Sequence, residues 1–141
     1  EHVSLIIDNY LFCGDSIFNC GVGNVLFRGD ISLHFRTITH KIKNFPDEYL
    51  LLPGHDYLYN NILFIESLLN DTLNDELALL KKNNNEDSLS PLLDMGFEKR
   101  NNPFLKIDEF SYLDHLKKKD LFKDEQIEFR FKLLRQLRDE H

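Results

Sequence analysis

Apolar residues recur along the chain with two different periods, and the change from one to the other orders its elements. Val3 to Ile7, Tyr10-Leu-Phe-Cys-Gly14 and Tyr49-Leu-Leu-Leu-Pro53 are short apolar runs, the last two meeting glycine at Gly14 and Gly54. Runs of this length bounded by Gly or Pro predict buried strands. Between them, Ile31, Phe35, Ile38, Ile42 and Phe45 stand at i, i+4, i+7, i+11 and i+14. That spacing predicts an amphipathic helix, with Asp30 placed to cap it and Pro46 just beyond its end. Strand, helix, strand is the order of an α/β layer.

After Tyr59 the pattern turns helical. Asn60 to Leu69 and Leu73 to Lys82 read as two helices around a polar break, and Asn83 to Pro91 is a solvated loop by composition. A last helix runs from Asp124 to Leu137, with Ile127, Phe131 and Leu134 on one face and Glu128 four residues before Lys132. A boundary near residue 60 divides an α/β part, 1–60, from a helical part, 61–141.

Composition supports a real core: the chain has 141 residues, 42% of them hydrophobic, and twelve Phe. The net charge of −7 repels phosphate backbones and anionic lipid, so neither nucleic acid nor a membrane is an expected partner. Locally the sign reverses. Lys117 to Arg138 holds eight basic residues against four acidic ones, a cationic end on an acidic body. No apolar stretch approaches the ~20 residues of a spanning helix, and Glu1-His2-Val3 lacks the regions of a signal peptide. A cytoplasmic location is expected, an organellar one being left open. Cys13 and Cys20 fit neither a zinc knuckle nor a Cys-x-x-Cys pair, and read as buried free thiols.

Residues just beyond strand ends are where α/β folds place chemistry. Asp15 and His55 occupy matching places after Gly14 and Gly54. A carboxylate and an imidazole suit a Zn, Fe or Mn site. Each also reads as an ordinary loop residue, and two ligands do not complete tetrahedral zinc. His2, His34, His40, His115 and His141 show no H-x-H or H-x-x-x-H spacing. Gly21-Val-Gly23 is not a dinucleotide fingerprint, since Leu26 stands where the third glycine belongs; the glycines let a loop pass close to a ligand or another strand. Arg135 and Arg138, three apart, share a helix face, either as two forks for carboxylates or as a solvated basic surface. Tyr57 stacks on or hydrogen-bonds to a ligand, or fills space.

Phe12-Cys-Gly-Asp-Ser-Ile-Phe18, Gly21-Val-Gly23, Gly54-His-Asp-Tyr57, Asn102-Pro-Phe104 and Arg135-Gln-Leu-Arg-Asp139, in that order, resemble the second half of glyoxalase II, hydroxyacylglutathione hydrolase, of the metallo-β-lactamase fold. The resemblance covers nearly the whole chain. It implies the second half of an αββα sandwich followed by an all-α, substrate-binding C-terminal region. It also implies two divalent metal ions, zinc or else iron or manganese, bridged by Asp15 and bound by His55. Tyr57, Arg135 and Arg138 would contact the glutathione of a 2-hydroxyacylglutathione thioester, with Arg138 where the family usually has Lys. The reaction would be hydrolysis of that thioester to a 2-hydroxy acid, such as lactate, and glutathione.

Departures accompany the resemblance. Asn24 and Leu26 or Phe27 stand near the places of a Lys and a Tyr that offer contacts to glutathione, which makes Asn24 a substrate-binding candidate. The T-H-x-H-x-D-H cluster that supplies most metal ligands is missing, and Glu1-His2 aligns with a non-ligating histidine. The chain is therefore expected to be a C-terminal half, inactive by itself and without tightly bound metal. Its strands would be covered by an N-terminal half or by another copy. A persulfide dioxygenase-like iron enzyme and a non-catalytic, glutathione-binding paralogue are the competing readings.

Overall fold

The structure, a computed structural model, describes residues 3–70, 72–109 and 126–141. His2, His115, the cationic run from Lys117 to Lys123 and the first residues assigned to the last helix, Asp124 and Glu125, lie outside them.

Each predicted strand forms, but β1 (Leu5–Ile7) is exposed at all three residues rather than buried, because it lies at the sheet edge. It turns through Asp8, in the left-handed region at φ +53°, and pairs antiparallel with β2 (Tyr10–Gly14). A short hairpin, β3 (Ile17–Phe18) and β4 (Gly21–Val22), follows. The predicted helix is α1 (Ile31–His40), and Asp30 caps it by accepting from the Ser32 and Leu33 amides. The chain then returns to the sheet as β5 (Leu50–Pro53), parallel to β2, giving the order β1-β2-β5. The helical part contains α2 (Leu58–Leu68), α3 (Asp75–Asn83), α4 (Met95–Asn101) and α5 (Ile127–Glu140). It is a small mixed α/β fold in which strands give way to helices. No helix among the described residues is long and apolar enough to cross a membrane.

The helix predicted as far as Phe45 ends at His40. Asn44 Nδ2 donates to the His40 carbonyl at 2.9 Å, and Ile42–Asn44 winds into a 3-10 turn that keeps Ile42 in the core. The stripe is thus real but is read by two geometries. The last helix extends past the predicted Leu137 to Glu140, and its predicted Glu128–Lys132 pair forms at 2.8 Å.

Alternation along β2 buries Leu11 and Cys13 with Leu51 of β5 against the helices. Phe131 of α5 is the hub of that core, meeting Phe35 of α1 at 5.5 Å and Phe104 at 5.2 Å, both edge to face. Such aromatic pairs contribute ~0.5–1.5 kcal/mol beyond area burial. The residues on either side of position 60 share this core. On the opposite face of the sheet Leu5, Ile7, Tyr10 and Phe12 are exposed, Leu5 by 58% and Ile7 by 55%. Both cysteines are buried and free.

Candidate functional site

Parallel pairing of β2 and β5 lays their C-terminal ends side by side, which brings together residues forty apart in sequence. The Gly54 amide donates to the Gly14 carbonyl at 2.9 Å, and Gly14, at φ +53°, turns the chain into Asp15. His55 Nδ1 and Asp15 Oδ1 stand 2.7 Å apart. An ionised carboxylate only accepts, so Nδ1 carries the proton and, in the neutral ring, Nε2 keeps its lone pair. The approach leaves no room for a side chain at Gly54, where a Cβ would lie 2.8 Å from Asp15 Oδ1. Gly23 is tighter still: a Cβ there would fall 1.9 Å from the Asp15 carbonyl oxygen. The two-glycine segment passes against the turn that carries Asp15.

From this pair the site runs toward the helices. The Tyr57 ring stacks on His55, with centroids 5.6 Å apart and planes 14° from parallel, and Phe18 meets both rings edge-on. Asp56, between them, accepts from the Leu58 amide at the start of α2 and from Ser90 Oγ and N. Burial works to raise its pKa, but these hydrogen bonds prevail and hold it below the ordinary value.

Arg138 reaches the start of α2 from α5. Its Nε donates to Asn61 Oδ1 at 3.1 Å, and its Cζ lies 5.8 Å over Phe64. The Asn61 backbone amide in turn donates to the Tyr57 carbonyl at 2.9 Å. Burial lowers the pKa of Arg138, with Asp139 and Tyr57 opposing. Among the described residues, the terminal nitrogens of Arg138 have no hydrogen-bond or ion-pair partner. Arg135 sits deeper, 8% exposed, with Nη1 donating to the Val22 carbonyl at 2.6 Å and Nη2 to Asp139 at 2.8 Å. Its buried Nε lacks a partner among the described residues. Burial lowers its pKa too.

The structure therefore brings Asp15, His55 and Tyr57 into one contiguous arrangement, with Arg138 docked on Asn61, one turn of α2 beyond Tyr57. Arg135 lies behind it, and Asn24, exposed next to Gly23, turns its Oδ1 to the Leu26 amide at 3.2 Å. Phe18 and Asn61 were missed in the sequence. An isolated Phe carries no chemical signal, and Asn61 lay within a helix read for its apolar face alone.

As donors for a metal ion, Asp15 and His55 fit in chemistry: one carboxylate and one imidazole lie side by side, both partly exposed, with the His55 lone pair on Nε2, the nitrogen that does not face Asp15. They are two corners only. No group of three or more His, Cys, Asp or Glu able to hold a metal occurs among the described residues.

The family described as hydroxyacylglutathione hydrolase C-terminus matches residues 56–141. Proteins named hydroxyacylglutathione hydrolase align beyond that region. The one from Polaromonas sp. (strain JS666 / ATCC BAA-500) is 31% identical over 132 residues, covering 92% of this chain and 50% of that protein. The one from Glaesserella parasuis serovar 5 (strain SH0165) is 34% identical over 130 residues, covering 86% and 53%. The one from Hamiltonella defensa subsp. Acyrthosiphon pisum (strain 5AT) is 33% identical over 144 residues, covering 98% and 54%. The chain thus spans about half the length of the curated relatives it matches. With a helical part matched to the family's C-terminus and relatives of one name aligned along nearly all of it, the chain belongs to the hydroxyacylglutathione hydrolase family.

Proposed function

We propose that the chain forms the C-terminal half of a metal-dependent thioester hydrolase that cleaves 2-hydroxyacylglutathione thioesters, taking up water and yielding a 2-hydroxy acid and glutathione. The observation that carries this reading is the run from Asp15–His55 through the stacked Tyr57 ring and the first turn of α2 to Asn61, where Arg138 docks with its terminal nitrogens unpaired among the described residues. One end offers hard and imidazole donors, the other an unspent guanidinium fork. A thioester carbonyl placed at the first end leaves the carboxylates of its glutathione to be met at the second.

Asp15 and His55 would hold metal, with the remaining ligands supplied from outside the described residues. The chemistry such ions provide when bound is polarisation of the thioester carbonyl and activation of water near neutral pH. The chain's own residues orient and bind. Tyr57 forms an aromatic wall against His55, and Arg138 neutralises a carboxylate. Arg135 supports the loop at Val22 and adds positive charge behind it, while Asn24 lies at the loop's rim. The division at residue 60 is then one of role, reacting end before and gripping end after. The exposed face of Leu5, Ile7, Tyr10 and Phe12 would be covered by the first half of an αββα sandwich, the half that the relatives' greater length has room for.

The test uses full-length protein with S-lactoylglutathione and, separately, glutathione persulfide. Hydrolysis of the first without oxygen consumption on the second is expected. Asp15→Ala should abolish turnover, and Arg138→Ala should raise KM by about 10- to 100-fold with a smaller change in kcat. Oxidation of the persulfide, or binding without turnover, would replace this reading by an iron dioxygenase or a non-catalytic binder.

A further inference from the structure

Asn102-Pro103-Phe104 and Gly21-Val22-Gly23 meet around a carboxylate that no sequence pattern marked. Glu98, in α4, is wholly buried. Its two oxygens accept from the Cys20 backbone amide at 3.0 and 2.9 Å, and Oε2 also accepts from Asn102 Nδ2 at 2.8 Å. Asn102 Nδ2 reaches on to the Gly21 carbonyl at 3.0 Å. On either side along the same backbone, Asn61 Nδ2 donates to the Asn19 carbonyl at 2.8 Å, and Arg135 Nη1 to the Val22 carbonyl.

Four consecutive hairpin residues, Asn19, Cys20, Gly21 and Val22, are thus each held by a buried polar side chain. The holders come from α2, α4, the residue after α4, and α5. A hairpin with two-residue strands has little pairing of its own to fix it. Cys20, at φ +60°, sits in a conformation that costs a non-glycine residue energy unless its surroundings impose it. The helices, not the sheet, decide where this hairpin lies.

Its position governs the site. Phe18 abuts His55 and Tyr57, and the Asn61 that holds Asn19 also accepts from Arg138. Gly21 packs so closely on Asn61 that a Cβ would lie 2.5 Å from Nδ2. We propose that Glu98 is a positioning residue of the thioester site: by anchoring Cys20 and, through Asn102, Gly21, it keeps Tyr57 and Arg138 at a fixed place relative to Asp15 and His55. The inference rests on the function proposed above. A carboxyl group suits the task because one oxygen, Oε2, can take a backbone N–H and a side-chain amide together. An apolar side chain there strands the Cys20 amide without a partner in the interior.

Glu98→Met, Glu98→Gln and Asn102→Ser are compared in the full-length protein, on S-lactoylglutathione and on a lactoyl thioester of N-acetylcysteamine, with metal content and near-ultraviolet circular dichroism recorded. Glu98→Met should raise KM for the glutathione thioester by about tenfold or more, with metal content native and a much smaller loss on the short thioester. Glu98→Gln keeps a carbonyl for the Cys20 amide and should stay within about threefold of wild type. If Glu98→Met does not fold, Asn102→Ser carries the same expectation, since it keeps an oxygen for the Phe104 amide and removes the donor to Gly21. Equal losses on both thioesters, or an unchanged KM in a folded variant, overturn the role of Glu98. Wild-type protein that neither binds S-hexylglutathione nor hydrolyses S-lactoylglutathione overturns the proposed function, and this inference with it.

Discussion

Arg135 and Arg138 show how far spacing reaches at the scale of a residue. Three positions apart on a helix, they were bound to share a face. Depth separates them: Arg135 spends both terminal nitrogens on Val22 and Asp139, while Arg138 spends only Nε, on Asn61. Depth depends on what packs above a residue, which one-dimensional spacing does not contain. Glu98 is the extreme case. Burial, opposed by the donors on Asn102 and Cys20 and aided by the charge of Asp94, pushes its carboxyl up to about 8 from the ordinary 4.5. The neighbouring thiols stay neutral across that range, burial pushing Cys13 up to about 12 and Cys20 well above its usual value. The folded protein therefore holds the Glu98 proton more tightly than the unfolded chain does. Its contribution to stability is fully present below about 4.5 and is lost as pH rises through about 8. Urea unfolding at a series of pH values should show stability falling across that window, and Glu98→Gln should flatten the fall. A wild-type curve without slope there would refute this account.

At the scale of elements, legibility followed length. α1 was plain because ten residues carry both a cap and a period, and Asp30 forms the cap its position promised. Asp30→Ala removes an exposed acceptor with little packing, so it should cost ~1 kcal/mol and lower Tm by a few degrees without disturbing the site. Phe131 belongs to the other extreme. It joins α1, α5 and the segment at Phe104, and Phe131→Ala should cost ~3–5 kcal/mol in chemical denaturation. Three elements left no usable trace in the sequence. β3 and β4 have two residues each, too few to show alternation. α4 buries Gly96, Glu98 and Asn101 beside Met95 and Phe97, so its inward face is partly polar and its hydrophobic period is blurred. All three belong to the clamp around Cys20. The part of the fold hardest to read was the part held by buried hydrogen bonds.

For the whole molecule, the uncovered sheet face is the dominant feature. Leu5, Ile7, Tyr10 and Phe12 project from one side of β1 and β2, while Leu11 and Cys13 on the other side are sealed by helices. Residues 1–141 expressed alone should bind a hydrophobic dye and associate with rising concentration in sedimentation velocity, and Phe12→Lys should reduce both while leaving Tm nearly unchanged. In the full-length protein the same substitution should lower Tm markedly, because the lysine would then be buried without a partner. A monodisperse, dye-silent wild-type chain would show that this face needs no cover.

By itself the sequence determined the order of β1, β2, α1, β5, α2, α3 and α5, the cap of α1, the two strand ends that carry Asp15 and His55, and membership of a family through short motifs in the right order. Those are local facts, fixed by side-chain period, turn chemistry and residue type. Only the tertiary structure decided that β2 and β5 lie parallel, so that Asp15 and His55 meet, and that Arg138 rather than Arg135 keeps an unspent fork, beside Asn61. It alone revealed that Glu98, Asn102, Asn61 and Arg135 grip one hairpin. These depend on burial and on contacts between residues up to 113 apart, where the cost of an unmatched polar group, not any pattern along the chain, selects the arrangement.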